Sequence, residues 1–204
     1  MYDLGDELDG VTVGPGTNIL VAGPPLSGKR RLALEVLAHG ARQGEGSIIV
    51  TTRDGAERVR ADYESLLDAD SGPIGIVDCV TKHQGQPLRD TDEIKYTSSP
   101  VDMTGIGIRF SEFMETFHEE QNVERNRVLL DSLTTLLLYS NLQTVFRFIH
   151  VFTSRISTPD ALGIYLIEST AHDQETMSTL RQLFDAVVEV DDDGSVATAA
   201  GLEG

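Results

Sequence analysis

Tryptophan is absent from this chain of 204 residues, cysteine occurs once, and lysine occurs only at Lys29, Lys82 and Lys95. One cysteine excludes an internal disulfide. Cys79 sits in the apolar run Ile74-Gly75-Ile76-Val77-Asp78-Cys79-Val80, the setting of a buried structural thiol rather than a nucleophile. No stretch approaches the ~18 continuous apolar residues of a membrane span. Met1-Tyr2-Asp3-Leu4-Gly5-Asp6-Glu7 lacks the positive region and apolar run of a signal peptide, so the expected location is the cytoplasm. Positive charge is also scarce: 16 basic residues against 33 acidic ones leave a formal net charge of −17. Such a field opposes general binding to nucleic acid, which depends on neutralising phosphate with Lys or Arg. The 40% of apolar residues suffices for a core, and 24% charged residues argues against wholesale disorder. The length fits one domain over residues 1–204, with a core at about 8–192 and an acidic, Gly-rich tail at 193–204.

Surplus Asp and Glu with almost no Lys resembles the composition of proteins from salt-loving archaea, whose cytoplasm is rich in potassium salts. At molar salt the Debye length falls to about 3 Å and self-repulsion is screened. The fold is accordingly expected to weaken in dilute buffer.

Short apolar runs alternate with helical patterns along the chain, which predicts an α/β fold with a mostly parallel sheet covered by helices on both faces. Strands are expected at residues 18–22, 47–52, 74–80, 127–131, 162–168 and 186–190, each short and β-branched or Leu-rich, as strands buried on both faces must be. Helices are expected at 29–42, 55–67 and 110–121, and a long helical segment at 133–157 with a break near Ser140-Asn141. Residues 81–107 form a polar stretch with Gly85, Pro87, Pro100, Gly105 and Gly107. Loops of this length are functional, mobile or plain surface insertions. The tail, residues 191–204, reads as a short hairpin followed by fraying.

The sharpest local signal is Gly23-Pro24-Pro25-Leu26-Ser27-Gly28-Lys29-Arg30, which follows a strand and opens a helix, the context a Walker A phosphate loop requires. Glycines let successive backbone N–H groups wrap a phosphate, the helix N-terminus adds its positive end, and Lys29 bridges phosphates. One member departs from the motif. The residue after the lysine should be Ser or Thr, whose hydroxyl ligates Mg²⁺, and here it is Arg30. Arginine has donors and no lone pair, so it cannot ligate a cation, but its guanidinium can occupy the metal's place. Arg30 and Arg31 thus point to ATP or ADP held with weak or no Mg²⁺ dependence. In the alternative, Arg30 points outward and phosphate binding is lost. Arg127-Val128-Leu129-Leu130-Asp131-Ser132 reads as a Walker B strand, with Asp131 an indirect metal partner; the same carboxylate could cap the next helix.

These segments, with 14–23, 32–37, 128–134 and 184–190, resemble a KaiC-like or RadA-type domain of the RecA superfamily, over roughly residues 8 to 192. The run at 98–108 is similar to small acidic RecA-superfamily proteins of haloarchaea. The resemblance implies a RecA-like P-loop core with family strand order 5-1-4-3-2. It also locates departures. In active relatives the strand after the P-loop helix ends in one or two Glu that activate water; here Arg53 and Asp54 follow it. Arg53 cannot accept a proton, which leaves Asp54 as the remaining catalytic candidate. Hexameric relatives supply basic residues across the interface from a segment after the last core strand, and Glu189-Val190-Asp191-Asp192-Asp193-Gly194 carries none. Loss of an arginine finger alone removes on the order of 10³–10⁵ in rate.

The expectation is therefore a nucleotide-binding protein with impaired hydrolysis, a pseudo-ATPase acting as a regulatory or protein-interaction module. Its partner would be another protein or a second copy. The alternatives are an ATPase completed by a partner chain, with Asp54 as its base, and a structural protein that has lost nucleotide, whose mark would be a phosphate loop filled by side chains with Arg30 or Arg53 paired to Asp131. Thr170 is a candidate sensor for the γ-phosphate, or a helix cap, with Glu168 nearby as a surface acid. His39, His83, His118, His150 and His172 show no metal-ligand spacing. Asp191-Asp192-Asp193 reads as a solvated turn. The stripe Leu136, Leu137, Leu138, Leu142, Val145, Phe146, Phe148, Ile149 and Phe152 is broader than one helix face, so part of it can cover a partner.

Overall fold

The computed structural model describes residues 1–82, 85 and 88–202; His83 and Pro87, and the last two residues of the expected tail, lie outside the described residues. A small antiparallel pair, β1 (Tyr2–Asp3) and β2 (Thr12–Val13), precedes the main run. Then follow β3 (Asn18–Gly23), α1 (Lys29–Ala41), β4 (Gly46–Thr51), α2 (Ala56–Glu64), β5 (Ile74–Asp78), β6 (Ile94–Tyr96) and α3 (Met103–Glu119). The second half is β7 (Asn126–Asp131), α4 (Leu133–Tyr139), α5 (Leu142–Ser157), β8 (Leu162–Glu168), α6 (Gln174–Arg181), β9 (Ala186–Val190) and β10 (Val196–Ala200).

The eight-stranded sheet runs β10-β9-β3-β8-β7-β4-β5-β6, parallel throughout except at β10, which pairs antiparallel with β9. Its middle, β9-β3-β8-β7-β4, is the 5-1-4-3-2 order implied by the resemblance; β5 and β6 extend one edge and β10 the other. Successive side chains of a strand point to opposite faces. Ile19 and Val21 accordingly join the core under α1, α2 and the N-terminal hairpin, while Leu20 and Ala22 join the one under α3, α4, α5 and α6. The C-terminal ends of β3, β4, β5, β7 and β8 open on one edge of the sheet, where open α/β sheets carry their ligand sites.

The six expected strands are all present, with ends shifted by at most two residues. Three expectations need correction. The third helix begins at Met103, not near Phe110, because Asp102 caps it, accepting from the Gly105 N–H at 2.9 Å and from Ser98 Oγ at 2.7 Å. Within the expected loop 81–107, residues 94–96 form β6, and Asp90 anchors the approach by accepting from Tyr96 N–H at 3.0 Å and pairing with Arg109 at 2.8 Å. The hairpin at the end of the chain forms, but it does not fray through residue 202, since Leu202 is buried in the core. The helical break falls where expected: Asn141 caps α5 by accepting from Thr144 N–H at 2.9 Å.

Two buried polar constellations hold this frame. Arg127, fully buried at the start of β7, donates from Nε to Glu45 at 2.6 Å and from a terminal nitrogen to the Val36 carbonyl at 2.7 Å. A Cβ on Gly40 would lie 2.7 Å from its guanidinium carbon, so a helix-interior glycine makes the room. Tyr2 covers the group, its ring centroid 5.5 Å from Arg127 and 4.4 Å from Arg125.

The second constellation is Asp78, buried at the end of β5, which accepts from Ala56 N–H (2.7 Å), Val80 N–H (2.8 Å), Thr81 N–H (2.8 Å) and Thr81 Oγ1 (2.6 Å). It thereby caps α2 from a neighbouring strand. Asp78→Ala is expected to cost about 2–3 kcal/mol, measured by urea unfolding in molar KCl, because buried amide donors are left unpaired. Next to it, burial pushes the Cys79 thiol up to about 12. Native protein at pH 8 should therefore resist iodoacetamide and become labelled only on unfolding, read by mass spectrometry.

Candidate functional site

The loop of residues 23–28 joins β3 to α1 at the open edge. Gly28 has φ +82°, a left-handed conformation that favours glycine, and Leu26 also adopts φ 63° with its side chain in solvent. Gly23 is required by closeness: a Cβ there would lie 2.7 Å from Ser27 Oγ and 2.8 Å from the Val190 carbonyl. The buried Ser27 Oγ has no hydrogen-bond partner among the described residues. At α1 no side chain among the described residues caps the first turn and no acidic residue lies in it, so its leading N–H groups and positive end face the pocket. Lys29 is buried, donating from Nζ to the Pro24 carbonyl at 2.8 Å and lying 3.5 Å from Glu168 Oε1. Burial lowers its pKa, opposed by Glu168. The loop opens into a pocket of about 420 Å³, walled by Ser27, Lys29, Arg30, Arg53, Asp131 and Glu168 among others.

Arg30 points inward. Its Nε donates to Asp131 Oδ2 at 2.9 Å, one terminal nitrogen pairs with Asp62 at 2.7 Å, and the other lies 3.8 Å from Asp54. One guanidinium thus gathers carboxylates from β7, α2 and the turn after β4. Burial works to lower its pKa, but Asp62, Asp131 and Asp54 more than offset this and raise it. Burial pushes the Asp131 carboxyl up, against the pull of Arg30 and Arg53. Asp54 lies 3.7 Å from Arg53 and 3.7 Å from Arg58 as well, so three guanidiniums surround it.

This arrangement fits a phosphate better than a magnesium ion. The loop offers backbone donors, a lysine and an unpartnered hydroxyl; the place of the metal-ligating hydroxyl is filled by a donor-only side chain already bonded to Asp131. Among the described residues no group of three or more His, Cys, Asp or Glu is arranged to hold a metal.

Other expected residues fall differently. The Arg31 side chain is exposed at the rim and pairs with Glu35 at 3.3 Å. Thr170 lies in a short 3₁₀ turn, Ser169–Ala171, exposed and outside the pocket lining. Thr134, on α4 and likewise outside the pocket lining, accepts from Glu168 N–H at 2.9 Å with His172 Nε2 3.1 Å away. Glu168 is not a plain surface acid, since it pairs with Lys29 and with Arg53 at 3.5 Å each. Nothing in the local pattern around Asp62 marks it; only the fold brings it to Arg30. The Asp191-Asp192-Asp193 turn is exposed and stands beside the loop, with Gly194 Cα 4.0 Å from where a Gly28 Cβ would lie. Among the described residues no helix is long and apolar enough to cross a membrane.

A glycine-rich strand–loop–helix unit on a parallel sheet of this order is the architecture of RecA-type domains. The solved structure of a KaiC-like protein from the hyperthermophilic archaeon Pyrococcus horikoshii matches with TM-score 0.54 and 15% identity, over 87% of this chain and 72% of its own. An uncharacterized protein from the same organism, solved in complex with an unknown peptide, matches with TM-score 0.67 and 10% identity, over 87% of this chain and 78% of its own. At these identities the likeness is one of fold. The chain belongs to a family of unknown function, DUF7504, whose profile matches residues 16–190. No curated protein matches it in sequence.

Proposed function

We propose that this protein is a RecA-fold nucleotide-binding module that grips the polyphosphate of ATP or ADP without a metal, turns it over poorly, and serves regulation or protein interaction. The observation that carries the reading is a pocket of about 420 Å³ still open at the loop although Arg30 Nε is bonded to Asp131 at 2.9 Å. A fixed positive charge stands where Mg²⁺ is held in active relatives, beside a loop still built to wrap phosphate. Lys29, Ser27 and the backbone of residues 23–28 would contact phosphate. Asp131, Asp62 and Asp54 hold Arg30 in place. With three guanidiniums around it, Asp54 serves better as an anchor than as a general base.

Two observations favour a second reading, a structural protein that no longer takes nucleotide: Arg30 is paired to Asp131, the pairing expected of a loop that has lost its ligand, and Lys29 is already occupied by the Pro24 carbonyl and Glu168. Titration of a fluorescent ATP analogue in molar KCl separates the two. Saturable binding that disappears in Lys29→Ala supports the first; no binding to the wild-type chain, with or without Mg²⁺, supports the second. The high salt follows from the acidic composition, which belongs to the same proposal.

A further inference from the structure

We propose that the cleft between α3 and α5 is a docking groove for an acidic amphipathic helix of a partner protein. The cleft, about 400 Å³, lies on the face of the sheet opposite α1 and is lined by Met103, Ile108, Phe148, Val151 and Phe152. Its floor is fixed by the Phe110 and Phe152 rings, whose centroids are 5.2 Å apart, and by Phe148 stacked on Phe152 at 5.4 Å. Its walls are apolar yet open: Ile108 is 51% and Val151 52% exposed. Solvent-facing apolar side chains grouped in a concavity mark an interaction surface rather than scattered surface residues.

Charge identifies the occupant. Most basic side chains of this acidic chain sit in ion pairs, as at Arg42, Arg60, Arg109 and Arg127. Arg147 and Arg155, both exposed and both lining the cleft, have no carboxylate partner among the described residues. They flank Val151 at i, i+4 and i+8 on α5, which places their α-carbons about 12 Å apart along one face at 1.5 Å rise per residue. Gly107 makes room for the second: a Cβ there would lie 2.8 Å from an Arg155 terminal nitrogen. An apolar trough with a cation at each end fits a helix carrying apolar residues at i, i+3, i+4 and i+7 and acidic residues about two turns apart. A nucleic acid or an anionic bilayer is disfavoured by the net charge of −17. This inference names the partner chemistry of the interaction module proposed above, and its test uses no nucleotide, so either can fail alone.

The test is a selection from a display library of 16-residue helical peptides on the full chain, followed by anisotropy titration of enriched sequences, both at the lowest KCl concentration at which circular dichroism shows the chain folded, since exposed charge pairs are screened at molar salt. The expected result is enrichment of apolar-faced peptides with Asp or Glu seven or eight residues apart. Their affinity should be about tenfold weaker, or more, for the doubly substituted chain Arg147→Glu, Arg155→Glu, and should also fall for Val151→Ser, which removes the apolar centre of the trough and leaves both charges in place. Circular dichroism checks that both variants fold. No enrichment, enrichment without acidic pairs, or the same peptides on the double variant would overturn the proposal. So would a concentration-dependent dimer abolished by the double variant, which would assign the groove to a second copy.

Discussion

Truncating Arg127 to alanine is expected to destabilise the protein by about 3–5 kcal/mol. For a domain of this size that is a fall of roughly 6–20 °C in the thermal midpoint. The guanidinium is fully buried and bonded to Glu45 and the Val36 carbonyl, so its loss leaves the buried Glu45 carboxylate with only the half-exposed Arg125, 3.3 Å away. Glu45→Ala should cost a similar amount for the converse reason. Replacing both, as Glu45→Leu with Arg127→Met, should recover most of the loss, because neither charge then remains unpaired. Calorimetric scans of the four chains in molar KCl check this; strict additivity of the two single effects would contradict it.

Arg30→Thr is expected to change chemistry rather than stability alone. It restores the hydroxyl of an ordinary phosphate loop and removes the cation that Asp131, Asp62 and Asp54 surround. Asp131 is then free to take part in holding Mg²⁺, and nucleotide affinity should become magnesium-dependent by on the order of tenfold, the equivalent of about 1.4 kcal/mol. Without divalent cation, the three carboxylates face one another and the variant should melt lower than the parent. Arg30→Lys keeps a charge but not the planar fork that reaches several carboxylates at once, so it should rescue the missing charge without rescuing the geometry. Titrations with Mg²⁺ and with chelator, on all three chains, decide the matter.

The sheet was legible because its strands are buried on both faces. Residues such as Ile48-Ile49-Val50 and Val128-Leu129-Leu130 have no polar alternation to blur them. β6 was not, since an edge strand of three residues containing Lys95 carries no such run. The first two turns of α3 were hidden by Gly105 and Gly107, which read as loop; the fold uses them to approach Asp102 and Arg155. β1 and β2, of two residues each, leave no periodicity at all.

At the site, the strand, loop and lysine could be read from spacing, and so could the misfit at Arg30. What that arginine touches could not. Asp62 is 32 residues away and Asp131 is 101, and Glu45 is likewise 82 residues from Arg127. Such pairings exist only once the sheet order has been set. Thr170 follows a strand end, but the hydroxyl against Glu168 comes from Thr134 of the neighbouring helix α4, a placement that spacing along the chain does not show.

The measurement that bears most directly on this account compares ATP affinity and phosphate release, in molar KCl, with Mg²⁺ and with EDTA, for the wild-type chain and Lys29→Ala. The predicted result is similar affinity under both conditions, lost in Lys29→Ala, with no magnesium-stimulated release. Rapid magnesium-driven turnover by the isolated chain, or affinity that vanishes in EDTA, would contradict it.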